Sequence, residues 1–210
     1  MQNSSRVAVA CPGPSFDPKN IPDDFEVAAV NHTLKSLDRC RWWIAYDCPN
    51  DAHQPAADKF LELKPTIVTM PERWECWRVW FKDKLKLQPH EYPSFEFCDW
   101  GPLWFKTAIK VGPRYSSLIA ISWALRRRVR ELHYVGCDMG GVGYYDRETT
   151  QLPRNVGRKV RLWEQRWDKE RALLKASQKE SHKRGHMRIT GLPWDDPPPL
   201  AGVQHPSQPV

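Results

Sequence analysis

Short apolar runs separated by polar stretches recur along this chain, and most of them stop at a turn residue. Arg6–Ala10 runs into Cys11-Pro12-Gly13-Pro14-Ser15, Glu26–Val30 into Asn31-His32-Thr33, and Arg41–Tyr46 into Asp47. Thr66–Met70 is stopped by Pro71, Glu131–Gly136 runs into Cys137 and Asp138, and Met187–Thr190 is the last such run. Runs of this length, rich in Val, Ile and aromatics, predict buried parallel strands. Three stretches carry helical spacing instead. One lies around Glu72–Lys82. A second runs from Tyr115 through Arg130 with Leu118, Ile121, Ser122 and Leu125 on one side. The third and longest spans Gly157–Gly185 with Leu162, Trp163, Trp167, Leu173 and Leu174. The predicted fold is α/β: a single open, mostly parallel Rossmann-like sheet flanked by helices. Strand ends of a parallel sheet gather on one edge, so Gly13, Asn31, Asp47 and Asp138 are expected to line one crevice.

At 210 residues the chain has the size of one domain with appended segments. Residues 1–191 are expected to form the Rossmann-like domain. Residues 71–112, carrying Trp74, Trp77, Trp80, Trp100 and Trp104, read as a Trp-rich insertion or lid. Residues 192–210 read as a Pro-rich tail without a core of its own. Eleven tryptophans in total admit two readings, core packing or stacking on bases and sugars. No apolar run approaches the ~20 residues that span a bilayer, so no membrane partner is expected. Met1–Ser5 lacks the apolar segment of a secretory signal, which points to the cytoplasm. None of the six cysteines forms a CxxC pair, so no zinc site is expected, and without a secretory signal no disulfide framework is expected either.

The net charge is +7, with 32 Lys and Arg against 25 Asp and Glu. That balance suits a polyanionic partner or a nucleotide. Arg126, Arg127, Arg128 and Arg130 crowd the end of the second predicted helix, and Arg158, Lys159 and Arg161 the start of the third. These are the candidate contacts to duplex DNA; a solvated helix face is the plainer alternative.

Gly13-Pro14-Ser15 leaves the first strand directly. A glycine there lets backbone N–H groups approach a phosphate, and Ser15 adds a hydroxyl donor. The motif is neither GxGxxG nor a Walker loop. Asn31 offers a donor and an acceptor to a base or ribose. Asp47 and Asp138 are candidate catalytic carboxylates, and His53, close after Asp47, is the candidate base. His182 and His186 stand four apart on one helix face, without the glutamate of an HExxH metal site.

Taken together, the Gly-Pro-Ser turn, the strand ending in Asn, the strand ending near Asp and the Ser-Ser helix feeding Gly-Cys-Asp-Met resemble a known superfamily. It is the Rossmann-type group joining bacterial sialyltransferases to archaeal pterin pyrophosphokinase-like proteins, a layout that phage proteins share. The resemblance covers about Arg6–Asp47 and Tyr115–Asp138. It implies nucleotide-binding roles for Gly13, Pro14, Ser15, Asn31, Ser116 and Ser117. It also implies a downstream histidine base, for which His182 is a positional match and His53 a chemical one.

The leading expectation is a nucleotide-sugar-dependent glycosyltransferase acting on a hydroxymethylated pyrimidine of phage DNA. Nucleotide-sugar and duplex DNA would be its partners and the host-cell cytoplasm its location. Reaching such a hydroxyl requires flipping the base or working in a groove. Two alternatives stay open: a pterin-type diphosphokinase with Mg²⁺ held by Asp47 and Asp138, and a non-enzymatic nucleic-acid-binding phage protein.

Overall fold

The computed structural model describes residues 6–46, 56–98, 116–138 and 156–195, with the side chains of the last segment from Asp168 onward. Seven strands form one sheet: β1 (Arg6–Ala10), β2 (Glu26–Val30), β3 (Trp42–Ile44), β4 (Thr66–Thr69), β5 (Phe95–Phe97), β6 (Glu131–Val135) and β7 (Arg188–Thr190). Their order is β5-β4-β3-β2-β1-β6-β7, and every pairing is parallel. Four helices accompany them: α1 (Ala57–Leu63), α2 (Trp74–Asp83), α3 (Ser116–Arg126) and α4 (Val156–Lys183).

Strand β1 is the centre. Val7, Ala8, Val9 and Ala10 are fully buried because both faces of the sheet are covered. Strand alternation sends successive side chains to opposite layers. Val7, Val9, Ala28, Trp42 and Ile44 meet α3 and α4 through Leu118, Ile121, Trp123 and Leu174. Ala8, Ala10, Ala29, Trp43 and Ile67 meet α1 and α2 through Phe60, Trp77, Trp80 and Phe81. Small residues in β1 and β2 leave room for this second, aromatic layer. Trp43 lies 5.1 Å from Trp77 and 5.6 Å from Phe60, ring centre to ring centre, in the geometries that aromatic pairs favour.

The strands march from β1 to β5 in one direction, then the chain returns to set β6 on the other side of β1. The segment leaving β1 packs with the α1 and α2 layer through Phe16 and Ile21, whereas α3, leading into β6, packs on the opposite face. The β1–β6 boundary is therefore the topological switch point, where open parallel sheets take their ligands.

Three expectations change. The described part of the supposed insertion, up to Cys98, is not inserted. It forms α2 and β5, and Trp77 and Trp80 are core residues with 0% and 4% exposure. Together with Trp42, Trp43 and Trp123 they are packed inside and present no face to a base. The tail begins later than residue 192. Leu192 is buried, Trp194 packs on the core, and the Asp195 carboxylate accepts from Leu192 N–H and from Gln178. Cys76 on α2 is disulfide-bonded, while Cys11, Cys40, Cys98 and Cys137 are free thiols. No helix among the described residues is long and apolar enough to cross a membrane.

Candidate functional site

Two turns meet at the switch point. Gly13 N–H donates to the Gly136 carbonyl at 2.8 Å, and Phe16 N–H closes the first turn onto the Gly13 carbonyl at 3.0 Å. Ser15 N–H donates to Asp138 Oδ2 at 2.7 Å. Asp138 thus ties the β1 turn to the β6 turn, with one carboxylate oxygen spent on holding the loop. A Cβ on Gly13 would overlap the Gly136 carbonyl oxygen and Asp138 Oδ2, and would stand 3.0 Å from Asp138 Cγ. The glycine is required by the contact between the two turns, which differs from the expected reason of phosphate approach. Gly136 has φ +73°, and a Cβ there would run into the Cys11 carbonyl and Phe16. The turns leave Pro14 and Ser15 exposed at the carboxyl edge of the sheet.

On the strand beside β1, Asn31 leaves β2 with φ +50°, a left-handed conformation that asparagine tolerates better than most residues. Trp43 Nε1 donates to its carbonyl at 2.5 Å, which pins that backbone from the core. The Ser116 hydroxyl donates to Asn31 Oδ1 at 3.3 Å and accepts from Tyr46 N–H at 3.2 Å. With Oδ1 engaged, the Asn31 NH₂ group remains the donor end of the amide. Arg73 stacks over the Tyr46 ring at 4.2 Å. The first turn of α3 is therefore docked on the ends of β2 and β3, with its backbone N–H groups at the carboxyl edge.

Ser117 does something different from its neighbour. It is 5% exposed and its hydroxyl donates inward to the carboxylate of Glu170 on α4. Its carbonyl accepts from the Tyr134 hydroxyl at 2.7 Å. Burial pushes the Glu170 carboxyl up to about 7, and pushes the Tyr134 phenol well above its ordinary value. Sequence reasoning missed Glu170 and Tyr134. A glutamate in a strongly charged helix carries no signal except its place in the stripe of Leu174, Ser177 and Ser181, all fully buried.

Gly13, Pro14, Ser15, Asn31, Ser116 and Asp138 thus gather at one edge of the sheet, and Ser117 lies just beneath it. Asp47 and His53 lie outside the described residues. His182 cannot serve the crevice. Its Nε2 accepts from Ile189 N–H at 2.9 Å, at the end of α4 that leads into β7. The DNA-contact candidates on α3 are also remote from the crevice. Arg126 is the last residue of α3, ten residues beyond Ser116 and about 15 Å along the axis. Arg126 donates to the Phe97 carbonyl; Arg127 pairs with Glu96 and stacks on Trp42 and Trp123. Arg128 and Arg130 are exposed beyond the helix end. Arg158, Lys159 and Arg161 fall within α4, and their side chains lie outside the described residues. Among the described residues no group of three His, Cys, Asp or Glu side chains is placed to hold a metal ion.

No protein-family model matches the chain, and no curated protein is similar to it in sequence. Solved structures are. A single-substitution variant of the sialyltransferase CST-II in complex with CMP is 13% identical, with a TM-score of 0.52, over 90% of this chain and 82% of that one. The sialyltransferase CstII from Campylobacter jejuni in complex with the substrate analogue CMP-3FNeuAc is 19% identical, with a TM-score of 0.42, over 64% of this chain and 65% of that one. The fold is shared with the first of these, the variant in complex with CMP.

Proposed function

We propose that the chain is a nucleotide-sugar-dependent glycosyltransferase whose donor binds at the β1–β6 switch point. One observation carries this reading. At that edge, in a fold shared with a sialyltransferase complexed with CMP, the turns at Gly13–Ser15 and Gly136–Asp138 interlock beside the hydrogen-bonded group of Asn31, Tyr46 and Ser116. Exposed Ser15, the Asn31 amide and the first N–H groups of α3 supply donors for a nucleotide's base, ribose and phosphate. A CMP-linked sugar is the donor to test first. An acceptor hydroxyl attacks the anomeric carbon and the nucleotide leaves, with donors at the edge stabilising the charge it takes. Asp47 and His53 remain the candidates for taking the acceptor's proton. Asp138 is assigned to holding the turn.

The acceptor is proposed only as a hydroxyl-bearing molecule. DNA as acceptor rests on a net charge of +7, and the arginine cluster at the end of α3 is not at the donor edge.

Calorimetric titration with CMP, CMP-sialic acid and UDP-glucose, set beside ATP with Mg²⁺, tests the reading. Saturable CMP binding that weakens about tenfold or more in Asn31→Ala and Ser116→Ala is expected, the loss of one or two hydrogen bonds. Binding of ATP with Mg²⁺ alone would move the chain to the diphosphokinase class. No nucleotide binding, with salt-sensitive retention of duplex DNA, would move it to a nucleic-acid-binding role.

A further inference from the structure

α4 crosses α3 with a stripe of buried positions, Glu170, Leu174, Ser177 and Ser181. The two serines satisfy themselves, Ser177 on the Leu173 carbonyl and Ser181 on the Met187 carbonyl. Glu170 is the exception: a carboxyl group in a stripe that packs on an apolar layer. A buried carboxylate is costly unless it is well partnered, and a leucine or glutamine would pack there more cheaply. Its partner is the hydroxyl of Ser117 in the first turn of α3. The residue before it, Ser116, is the one that reaches Asn31 and Tyr46.

We propose that Glu170 is a positioning residue for the donor edge: from α4 it grips Ser117, fixes the first turn of α3, and so holds Ser116 against Asn31 and Tyr46. The inference rests on the donor reading above and adds a regulation to it. Glu170 also stands where its charge matters. It is buried behind the first turn of α3, so a negative charge on it opposes a phosphate bound at that turn, while its grip on Ser117 persists in either form because a carboxyl oxygen accepts whether or not the group is protonated. The titratable groups facing it are Tyr134 on β6 and Cys137 just beyond β6. Burial holds the Tyr134 phenol up, and the Cys11 contact with burial holds the Cys137 thiol up, so both stay protonated at neutral pH. Glu170, pushed up to about 7, is the one of these that changes charge there. Donor affinity is therefore expected to fall as pH rises through neutrality.

The test is calorimetric titration of the full chain with CMP from pH 5.5 to 8.5, for the wild type, Glu170→Gln, Glu170→Ala and Ser117→Ala. Wild-type affinity should drop about fivefold between pH 6 and 8, the repulsion expected of one charge at about 10 Å through a partly screened interior. Glu170→Gln keeps an amide in place and should flatten that drop while retaining the low-pH affinity. Glu170→Ala should weaken binding at pH 6, where the wild-type residue is neutral, by releasing Ser117, and should lose the pH-dependent drop. If that variant fails to fold, Ser117→Ala breaks the same contact with a smaller change and should weaken CMP in the same way. CMP binding with the wild-type pH profile in Glu170→Gln, or undiminished in Ser117→Ala, overturns this inference and leaves the donor reading standing. Absence of CMP binding to the wild type at every pH overturns the donor reading, and this inference with it.

Discussion

Replacing Gly13 by alanine probes the contact that builds the site. The added Cβ would overlap the Gly136 carbonyl oxygen and Asp138 Oδ2, and the first of these is backbone that cannot rotate away. To relieve the overlap the β1 and β6 turns must separate. That stretches the Gly13 N–H bond to Gly136 and the Ser15 N–H bond to the Asp138 carboxylate. A neutral hydrogen bond contributes about 1 kcal/mol and one to a charged group about 1.5–3 kcal/mol. Overpacking adds about 1–3 kcal/mol. The sum, about 3.5–7 kcal/mol, is a large part of the ~5–15 kcal/mol that holds a domain of this kind folded. Gly13→Ala should therefore lower the urea midpoint sharply at unchanged m-value, and weaken nucleotide binding in whatever fraction stays folded. Asp138→Ala removes one of the two obstacles. A double-mutant cycle between the two positions should then show coupling of about 1 kcal/mol or more. A Gly13→Ala protein with the wild-type midpoint would refute the interlocked turns. This outcome differs from a glycine kept only for phosphate approach, whose replacement would cost binding and leave stability alone.

Trp77→Ala should cost about 3–5 kcal/mol of stability by denaturant titration, because Trp77 is fully buried against Trp43 and Phe81 rather than part of a lid. Arg127→Ala should destabilise by about 1–2 kcal/mol through its lost stacking on Trp42 and its half-buried pair with Glu96, and should leave the salt slope of any DNA binding unchanged. Stability should fall as pH rises from about 5 to 8. Glu170 keeps its proton in the folded state up to about 7 while the unfolded chain loses it near 4.5, so the folded state binds more protons in that window. The loss, about 2–3 kcal/mol, should vanish in Glu170→Gln when the two proteins are melted side by side across that range.

The strands were legible where the chain spends consecutive apolar residues on them. Arg6–Ala10 and Glu26–Val30 have the bounds that their Val and Ala runs predict, because a strand buried on both faces has no polar interruption. Strand β5 was not legible. Phe95-Glu96-Phe97 is three residues long, sits at the sheet edge and follows Pro93. Nor was α1, whose seven residues carry only two buried side chains, Ala57 and Phe60. At the candidate site, Gly13, Asn31, Ser116 and Asp138 lie together, as expected of parallel strands that deliver their ends to one edge. What each does there depended on contacts that spacing does not encode. Ser116 and Ser117 are adjacent and chemically alike, yet one faces Asn31 and the other is buried on Glu170. The arginine run read as a nucleic-acid surface, but a helix that starts at the carboxyl edge carries its last turn away from the crevice.

The central claim is that a nucleotide donor seats between the β1 turn, the end of β2 and the start of α3. Amide chemical shifts followed during a CMP titration test it most directly. The account predicts saturable shifts concentrated at Gly13, Ser15, Asn31, Ser116, Ser117 and Asp138, with Arg126, Arg128 and His182 unmoved. Shifts confined to the far end of α3, or none at millimolar CMP, would contradict it.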